Sequence, residues 1–402
     1  MAVTGSRIAH LFEAGGDSRI PALDGVRGVA ILLVFCVHYF ALFGVLLRHD
    51  TLSTRAGQFL HDLGYYGVDL FFVLSGYLIY GRIIKGRSTY RHFLRRRIER
   101  IYPVFLSIFA LYLLLSVAVP EKSKLPHDGL AAFLLANAAL LPGMVDIQPV
   151  ITVAWSLSYE MTFYLLAPII VVMFKLREWP AARRAQFWLG ATVICFTLSW
   201  LDLFPRPSLA MFLPGMLLFD WKESARYVGT VSRRAELGTG AFILLSLPFA
   251  SVVEAGLFLP SYPRWSPFAH LVVHMGLVGL AGFLLLWLAL VNSSRMNCAL
   301  CWKPLRWLGN ISYTYYLLHG LVVNALAFVL FLWLRPPITP IMYWGLMLLC
   351  LGGSIVASAL CYLAIERPIQ ERMALRHARA SRHCPAGGAH GIGVVKEDVA
   401  QS

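Results

Sequence analysis

Charge is what this chain has least of. Charged residues make up 14% of its 402 residues, and Asp and Glu supply only 21 of them. A soluble domain carries about a quarter of its residues as charge, because charge covers its surface. With 58% hydrophobic residues and a mean hydropathy of +0.66, an ordinary soluble enzyme is excluded and the bulk of the chain belongs in lipid. Cysteine does not offer another framework. None of the seven Cys falls in a predicted outer loop, so no disulfide scaffold is implied. Cys298 and Cys301 form a lone CxxC with no second pair and no nearby His, which is short of a zinc signal. Internal repeats, a P-loop and a dinucleotide-binding glycine fingerprint are absent from the sequence. The first twenty residues hold charges and two adjacent Gly with no small-residue cleavage site behind an apolar core, so no cleaved signal peptide is expected.

What the chain does have is a succession of apolar runs. Stretches at roughly 28–47, 63–80, 101–119, 158–176, 186–202, 208–221, 237–258, 270–291, 309–334 and 342–364 predict an all-α, polytopic bundle of about ten transmembrane helices. Residues 128–141 are apolar but short, and are read as a re-entrant or interfacial helix on the outer side. A net charge of +14 is used here to fix topology, not to infer a nucleic acid partner. With the N-terminus inside, 28 of the 35 Lys and Arg lie on the cytoplasmic side, which selects the orientation with both ends cytoplasmic. The expected organisation is a tail over 1–20, a transmembrane domain over 21–370 and a polar, disordered cytoplasmic tail over 371–402.

Ionisable groups within a span cost several kcal/mol unless paired or solvated, so each is a functional candidate. Arg27 and His38 sit eleven residues apart on the first helix. Eleven residues is close to three turns, so both project from nearly one face, separated by roughly 16 Å along the axis. Arg27 falls at the cytoplasmic edge and His38 near mid-bilayer, facing one shared tunnel. A guanidinium at the mouth and an imidazole at the bottom suit a long donor with an anionic head and a reactive far end, a shape that acyl-coenzyme A has. A buried neutral imidazole can take a proton from a hydroxyl. The plainer readings are a positive-inside anchor for Arg27 and a core histidine bonded to a carbonyl for His38.

The second span holds Asp69 and Ser75, six residues apart and therefore on different faces. Ser75-Gly76 serves either close helix packing or close ligand approach. The run Arg95-Arg96-Arg97-Ile98-Glu99-Arg100 can hold anionic lipid headgroups or grip a nucleotide diphosphate. Glu160, placed two residues after Ser158 at the expected start of the fourth span, is either part of a helix cap or an acceptor-binding carboxylate. His319 lies about ten residues into the ninth span, roughly 15 Å deep and level with His38. Carboxylate and thiolate partners for a metal are too few there, so no metal is expected.

Five segments in this order resemble the membrane-bound acyltransferase-3 family. They are the Arg27 to His38 spacing, LFFVLSGYL at 70–78, RRRIERIYP at 95–103, WSLSYEMTFY at 155–164 and GNISYTYYLLH at 309–319. Together they cover residues 21–368, nearly the whole chain. The resemblance implies transfer of an acyl group from coenzyme A to hydroxyls of glycans, lipochitooligosaccharides or macrolides. By resemblance His38 is the catalytic residue, Arg27 its donor-side partner, and Ser75 and Gly76 line the site. From the residue readings above, Arg97 and Arg100 are expected to bind the donor, and Asp69, Glu160 and His319 the acceptor. Where many relatives carry two successive acids this chain has Glu160-Met161, so a role for the second acid has no counterpart here. Some members carry a soluble hydrolase-like domain after the bundle, and none is seen here, which leads to the expectation of a standalone enzyme.

The function expected is a multi-pass O-acyltransferase of the bacterial plasma membrane, using acetyl-coenzyme A and acting on a carbohydrate such as an exopolysaccharide. His38 serves as general base or carries the acyl group covalently. A macrolide or other glycosylated metabolite is the alternative acceptor, and a transporter or flippase is the alternative class; no two-fold repeat or pair of broken helices supports the latter.

Overall fold

The computed structural model describes residues 20–47, 52–86, 89–201, 203, 207–224, 229–254, 276–331 and 338–382. The expected N-terminal tail over 1–19, the last twenty residues and parts of the spans at 186–202, 237–258, 270–291 and 309–334 lie outside the described residues. Helix α1 (Pro21–Phe43) opens on a proline, whose missing N–H has no partner to lose in a first turn. Helices α2 (Leu52–Gly64) and α3 (Tyr66–Lys85) follow almost end to end. Helix α4 (Tyr90–Ala118) is capped by the Thr89 hydroxyl, which accepts the His92 amide at 3.4 Å. It carries the arginine run and the third predicted span as one helix of 29 residues.

Helix α5 (Leu130–Ala138) is nine residues long, about 14 Å, which is too short to cross a bilayer. Then come α6 (Trp155–Met173), α7 (Ala181–Trp200), a 3₁₀ turn over Pro207–Phe212 running into α8 (Leu213–Glu223), and α9 (Arg233–Glu254). Helices α10 (Gly279–Leu290), α11 (Arg295–Leu300), α12 (Lys303–Asn310), α13 (Ser312–Phe331) and α14 (Pro340–Cys361) complete the bundle. A π-turn over Tyr362–Glu366 leads into α15 (Arg367–Arg382). Residues 371–382, expected as disordered tail, therefore continue the last helix. They are rich in Ala, Arg, Leu and Met, good helix formers, and Arg367 pairs with Glu371 one turn on at 2.7 Å.

No strand occurs among the described residues, and helical residues occupy each of the ten predicted stretches. Six helical stretches are long and apolar enough to cross a membrane: Pro21–Leu46, Leu52–Lys85, Tyr90–Ala118, Thr152–Met173, Ser312–Phe331 and Pro340–Met373. The protein is an integral membrane protein. The stretches in α7 and α9 fall outside those six because each opens on charge, Arg183 and Arg184 in one, Arg233, Arg234 and Glu236 in the other. Large apolar side chains such as Leu114, Val172 and Leu244 are about 70% exposed, an arrangement that lipid solvates and water does not.

Small residues let the backbones close up where the site is built, as expected when lipid offers no hydrophobic drive between helices. A Cβ at Gly309 would collide with the Asp24 carbonyl, and one at Gly28 with the Leu305 carbonyl. These contacts press α12 against the first turns of α1. A buried polar lock joins three helices. Arg184 donates through Nε to Asp220 Oδ1 at 2.6 Å and through a terminal nitrogen to the Trp179 carbonyl at 2.7 Å, while the Tyr80 hydroxyl donates to Asp220 Oδ2 at 2.6 Å. Asp220 is fully buried, so removing it strands a guanidinium and a phenol together. Asp220→Ala is expected to destabilise the bundle by about 3–5 kcal/mol, read as unfolding in detergent; a loss below about 1 kcal/mol, the value of a surface pair, would show that the lock is ornamental.

Candidate active site

The inward stripe of α4 sets the electrostatics of the site. Phe93, Arg97, Ile101, Val104, Phe105 and Ile108 are all buried, at the i, i+4, i+8 spacing of one helix face. Arg97 is thus turned into the protein at 3% exposure. Its guanidinium stands 5.5 Å from the ring centres of both Phe93 and Tyr164, its Nε has no hydrogen-bond partner, and it forms no ion pair among the described residues. Aromatic faces attract a cation but do not replace a counter-ion.

Arg97 borders a cavity of about 110 Å³ between α1, α3, α4, α6 and α13, and Arg27, Arg100, Ser75, Glu160, Tyr164 and Tyr316 are among the other lining residues. Three guanidinium groups therefore face one carboxylate. Arg27 is itself engaged by Asp24 at 3.0 Å. Glu160 accepts from the Ser75 hydroxyl at 3.1 Å and from the Tyr164 hydroxyl. A smaller polar pocket shares Arg27, Arg100, Ser312 and Tyr313 with the first and adds Asn310, Glu366 and Gln370. The combined mouth is cationic and rich in hydrogen-bond donors, the chemistry of a phosphate or carboxylate site.

Deeper in the bundle, His38 and His319 meet. His319 Nε2 lies 3.3 Å from His38 Nδ1, and the rings pack edge to face at 4.7 Å. His319 is fully buried and stacks on Tyr315 at 5.3 Å. Each Nδ1 faces a backbone carbonyl one turn back, Val34 at 3.0 Å for His38 and Tyr315 at 2.9 Å for His319. A carbonyl only accepts, so both Nδ1 atoms carry the proton and both Nε2 atoms keep a lone pair. His319 spends its lone pair on His38 Nδ1–H. His38 Nε2 is left as the basic nitrogen.

The sequence expectations divide accordingly. Arg27, Ser75, Arg97, Arg100 and Glu160 converge on one cavity, and His38 converges with His319. Arg27 and His38 both face α13, but one open tunnel joining them is not what the structure shows: Arg27 lines the cavity together with Phe71 and Tyr316, and His38 is not on its wall. Gly76 does not line the cavity either. A Cβ there would strike the Phe212 carbonyl, so its use is the packing of α3 against the 207–212 turn. Asp69 is buried at the start of α3 and stands off the cavity. Glu160 is not a capping residue, since α6 starts at Trp155 and puts it in the second turn; Ser158 instead donates to the Pro142 carbonyl. Tyr164, Tyr313 and Tyr316 were given no role by sequence reasoning, although Tyr164 follows Glu160 by one helical turn. Among the described residues no group of three or more His, Cys, Asp or Glu is gathered as a metal site would need.

An arginine-lined cavity backed by an intramembrane imidazole pair defines a site for an anionic ligand with proton-transfer chemistry behind it. A family profile described as an acyltransferase domain matches residues 20–363, and the chain belongs to that family. It is 25% identical over 389 residues to a peptidoglycan O-acetyltransferase, OatA, of Listeria monocytogenes, covering 88% of this chain and 56% of that protein. It is 25% identical to the exopolysaccharide production protein ExoZ of Rhizobium meliloti, covering 80% and 92%. It is 32% identical to the acyltransferase MdmB of Streptomyces mycarofaciens over 50% of this chain and 51% of that one. The chain spans about half the length of the peptidoglycan relatives it matches. No solved structure matches it.

The hydrogen bonds to Val34 and Tyr315 make a direct spectroscopic prediction. Nitrogen-15 NMR of histidine-labelled protein at neutral pH should show Nδ1 protonated and Nε2 bare for both residues. A His38 protonated at Nε2 would mean that its basic nitrogen is the one turned back on its own helix.

Proposed function

We propose that the protein is an O-acyltransferase of the bacterial plasma membrane that moves an acetyl group from coenzyme A, supplied on the cytoplasmic side, to a hydroxyl of a surface carbohydrate. The observation that carries the reading is Arg97, a permanently charged group buried without an ion-pair partner among the described residues, on the wall of a cavity that also holds Arg27 and Arg100. Such a charge destabilises the empty protein and is compensated when phosphate oxygens enter. The asymmetry of Lys and Arg, 28 of 35 on one side, supports a cytoplasmic mouth. The relatives named for peptidoglycan and exopolysaccharide favour a glycan acceptor over a macrolide, and their names favour transfer over transport.

In the proposed reaction His38 Nε2 takes the proton of the acceptor hydroxyl as that oxygen attacks the thioester carbonyl. The carbon–sulfur bond breaks, the acetyl ester forms, and the leaving thiolate recovers the proton as free coenzyme A. His319 fixes the tautomer and orientation of His38 and is a positioning residue. Glu160, held by Ser75 and Tyr164, is an acceptor for hydroxyl or amide groups of whatever fills the cavity.

Thiol release by the purified full chain, given acetyl-coenzyme A with peptidoglycan fragments or exopolysaccharide oligosaccharides, tests this. His38→Ala should lower turnover by about 10²–10⁴-fold, the usual contribution of a general base, with the fold intact by circular dichroism; full turnover in that variant would remove His38 from the chemistry. Arg97→Ala has a paired signature. The unliganded variant should melt higher than the wild type while its KM for the donor rises about 10- to 100-fold, as expected for losing a charged hydrogen bond. A variant that melts lower with an unchanged KM would make Arg97 a structural residue.

A further inference from the structure

Tyr316 stands between the cationic cavity and the histidine pair, with Phe71 against it on the cavity wall. Phe71 and Tyr316 both line the cavity and meet edge to face at 6.0 Å. The His319 ring lies 6.1 Å from that of Tyr316, and His38 lies in contact with His319. A donor whose head is held at Arg97 must bring its reactive end up to this partition to reach His38.

The two rings differ in how they are held. Tyr316 is 7% exposed. Its hydroxyl lies 2.6 Å from the Ser156 hydroxyl and donates to the Val153 carbonyl at 3.1 Å, so turning it would leave buried polar atoms unpaired. Phe71 is half-buried, has no polar group, and packs against both hydrophobic clusters of the bundle. It is held by shape alone, and it is the leaf that can change rotamer. Tyr316 is the fixed jamb.

We propose that Phe71, backed by Tyr316, measures the acyl group of the donor. A two-carbon acyl group passes beside the Phe71 ring to His38, whereas a longer chain overlaps the ring and is refused. This rests on the acyl-coenzyme A reading given above. The chemistry is that of a packed apolar pocket, in which a single methylene changes discrimination by about 10- to 200-fold. Widening the partition at Phe71 relaxes the selection, and widening it elsewhere does not.

The test is a titration of the full-length wild type, Phe71→Ala and Phe71→Leu in detergent with coenzyme A, acetyl-, butyryl- and hexanoyl-coenzyme A, read by calorimetry. The readout is the ratio of hexanoyl to acetyl Kd within each protein, so general losses of affinity or of folded fraction cancel. The wild type should disfavour the hexanoyl thioester by at least roughly tenfold, and Phe71→Ala should bring the two within roughly threefold, with Phe71→Leu between them. If coenzyme A binds but the ratio is the same in all three proteins, Phe71 is not the gauge, and the donor reading stands. If neither coenzyme A nor any thioester binds the wild type, the donor reading falls and takes this proposal with it.

Discussion

A guanidinium in a membrane protein cannot escape its charge by releasing a proton as a lysine can, and it has no counterpart to the proton uptake that neutralises a carboxylate. Burying Arg97 between Phe93 and Tyr164 without an ion-pair partner among the described residues therefore stores an electrostatic demand in the empty bundle. The surroundings moderate that demand without meeting it. Two ring faces supply weak attraction, and Glu160, the carboxylate on the same cavity wall, is turned to Ser75 and Tyr164 instead of to Arg97. Had Glu160 closed an ion pair with Arg97, the cavity would be neutral and an incoming anion would first have to break that pair. Keeping the two apart leaves the cavity prepared for a negative ligand.

The same logic of preparation governs α1. Its first turns are gripped through Gly25, Gly28 and Gly309, where backbone meets backbone across α11 and α12. Side chains larger than hydrogen would hold the helices apart. Arg27 is consequently fixed toward α13 at one end of α1, and three turns on His38 is fixed against His319 of that same helix. Close packing at the mouth and the contact between imidazoles at depth are two ends of one rigid arrangement of α1 against α13, so a loosened first turn would be felt at the histidines.

Much of this is legible in the sequence. The eleven-residue interval from Arg27 to His38 and the equal depth of His319 follow from helix geometry alone, and they lead to the contact at 3.3 Å. The inward turn of Arg97 was also readable, because it lies four residues after Phe93 and four before Ile101 on an otherwise apolar stripe. What obscured it was its neighbours. In a run of arginines, lipid contact explains the charge so well that the periodicity goes unused. The capping alternative for Glu160 stayed open for a different reason: α6 begins three residues earlier than the apolar run does, since the 3₁₀ turn over Thr152–Ala154 leads directly into it. The partition at Phe71 and Tyr316 has no local signal. It arises from two helices meeting, and a phenylalanine in an apolar span looks like every other.

The proposed reaction gives the second histidine a part although one would serve as base. A lone imidazole beyond the aromatic partition has two equivalent ways to place its proton, and only one leaves a lone pair where a hydroxyl can arrive. The Val34 carbonyl biases His38 toward the useful tautomer, but a carbonyl on the same helix moves with the ring and does little to set its plane. His319 comes from a different helix, is itself held by Tyr315 through both stacking and its carbonyl, and presents a lone pair to the same Nδ1–H. Two acceptors on two helices define a plane for the ring. In the proposed reaction, proton uptake at His38 Nε2 would spread positive charge to an Nδ1–H that already has both acceptors in place, so no group has to reorient at the moment of transfer, which is the condition under which fixed dipoles contribute most.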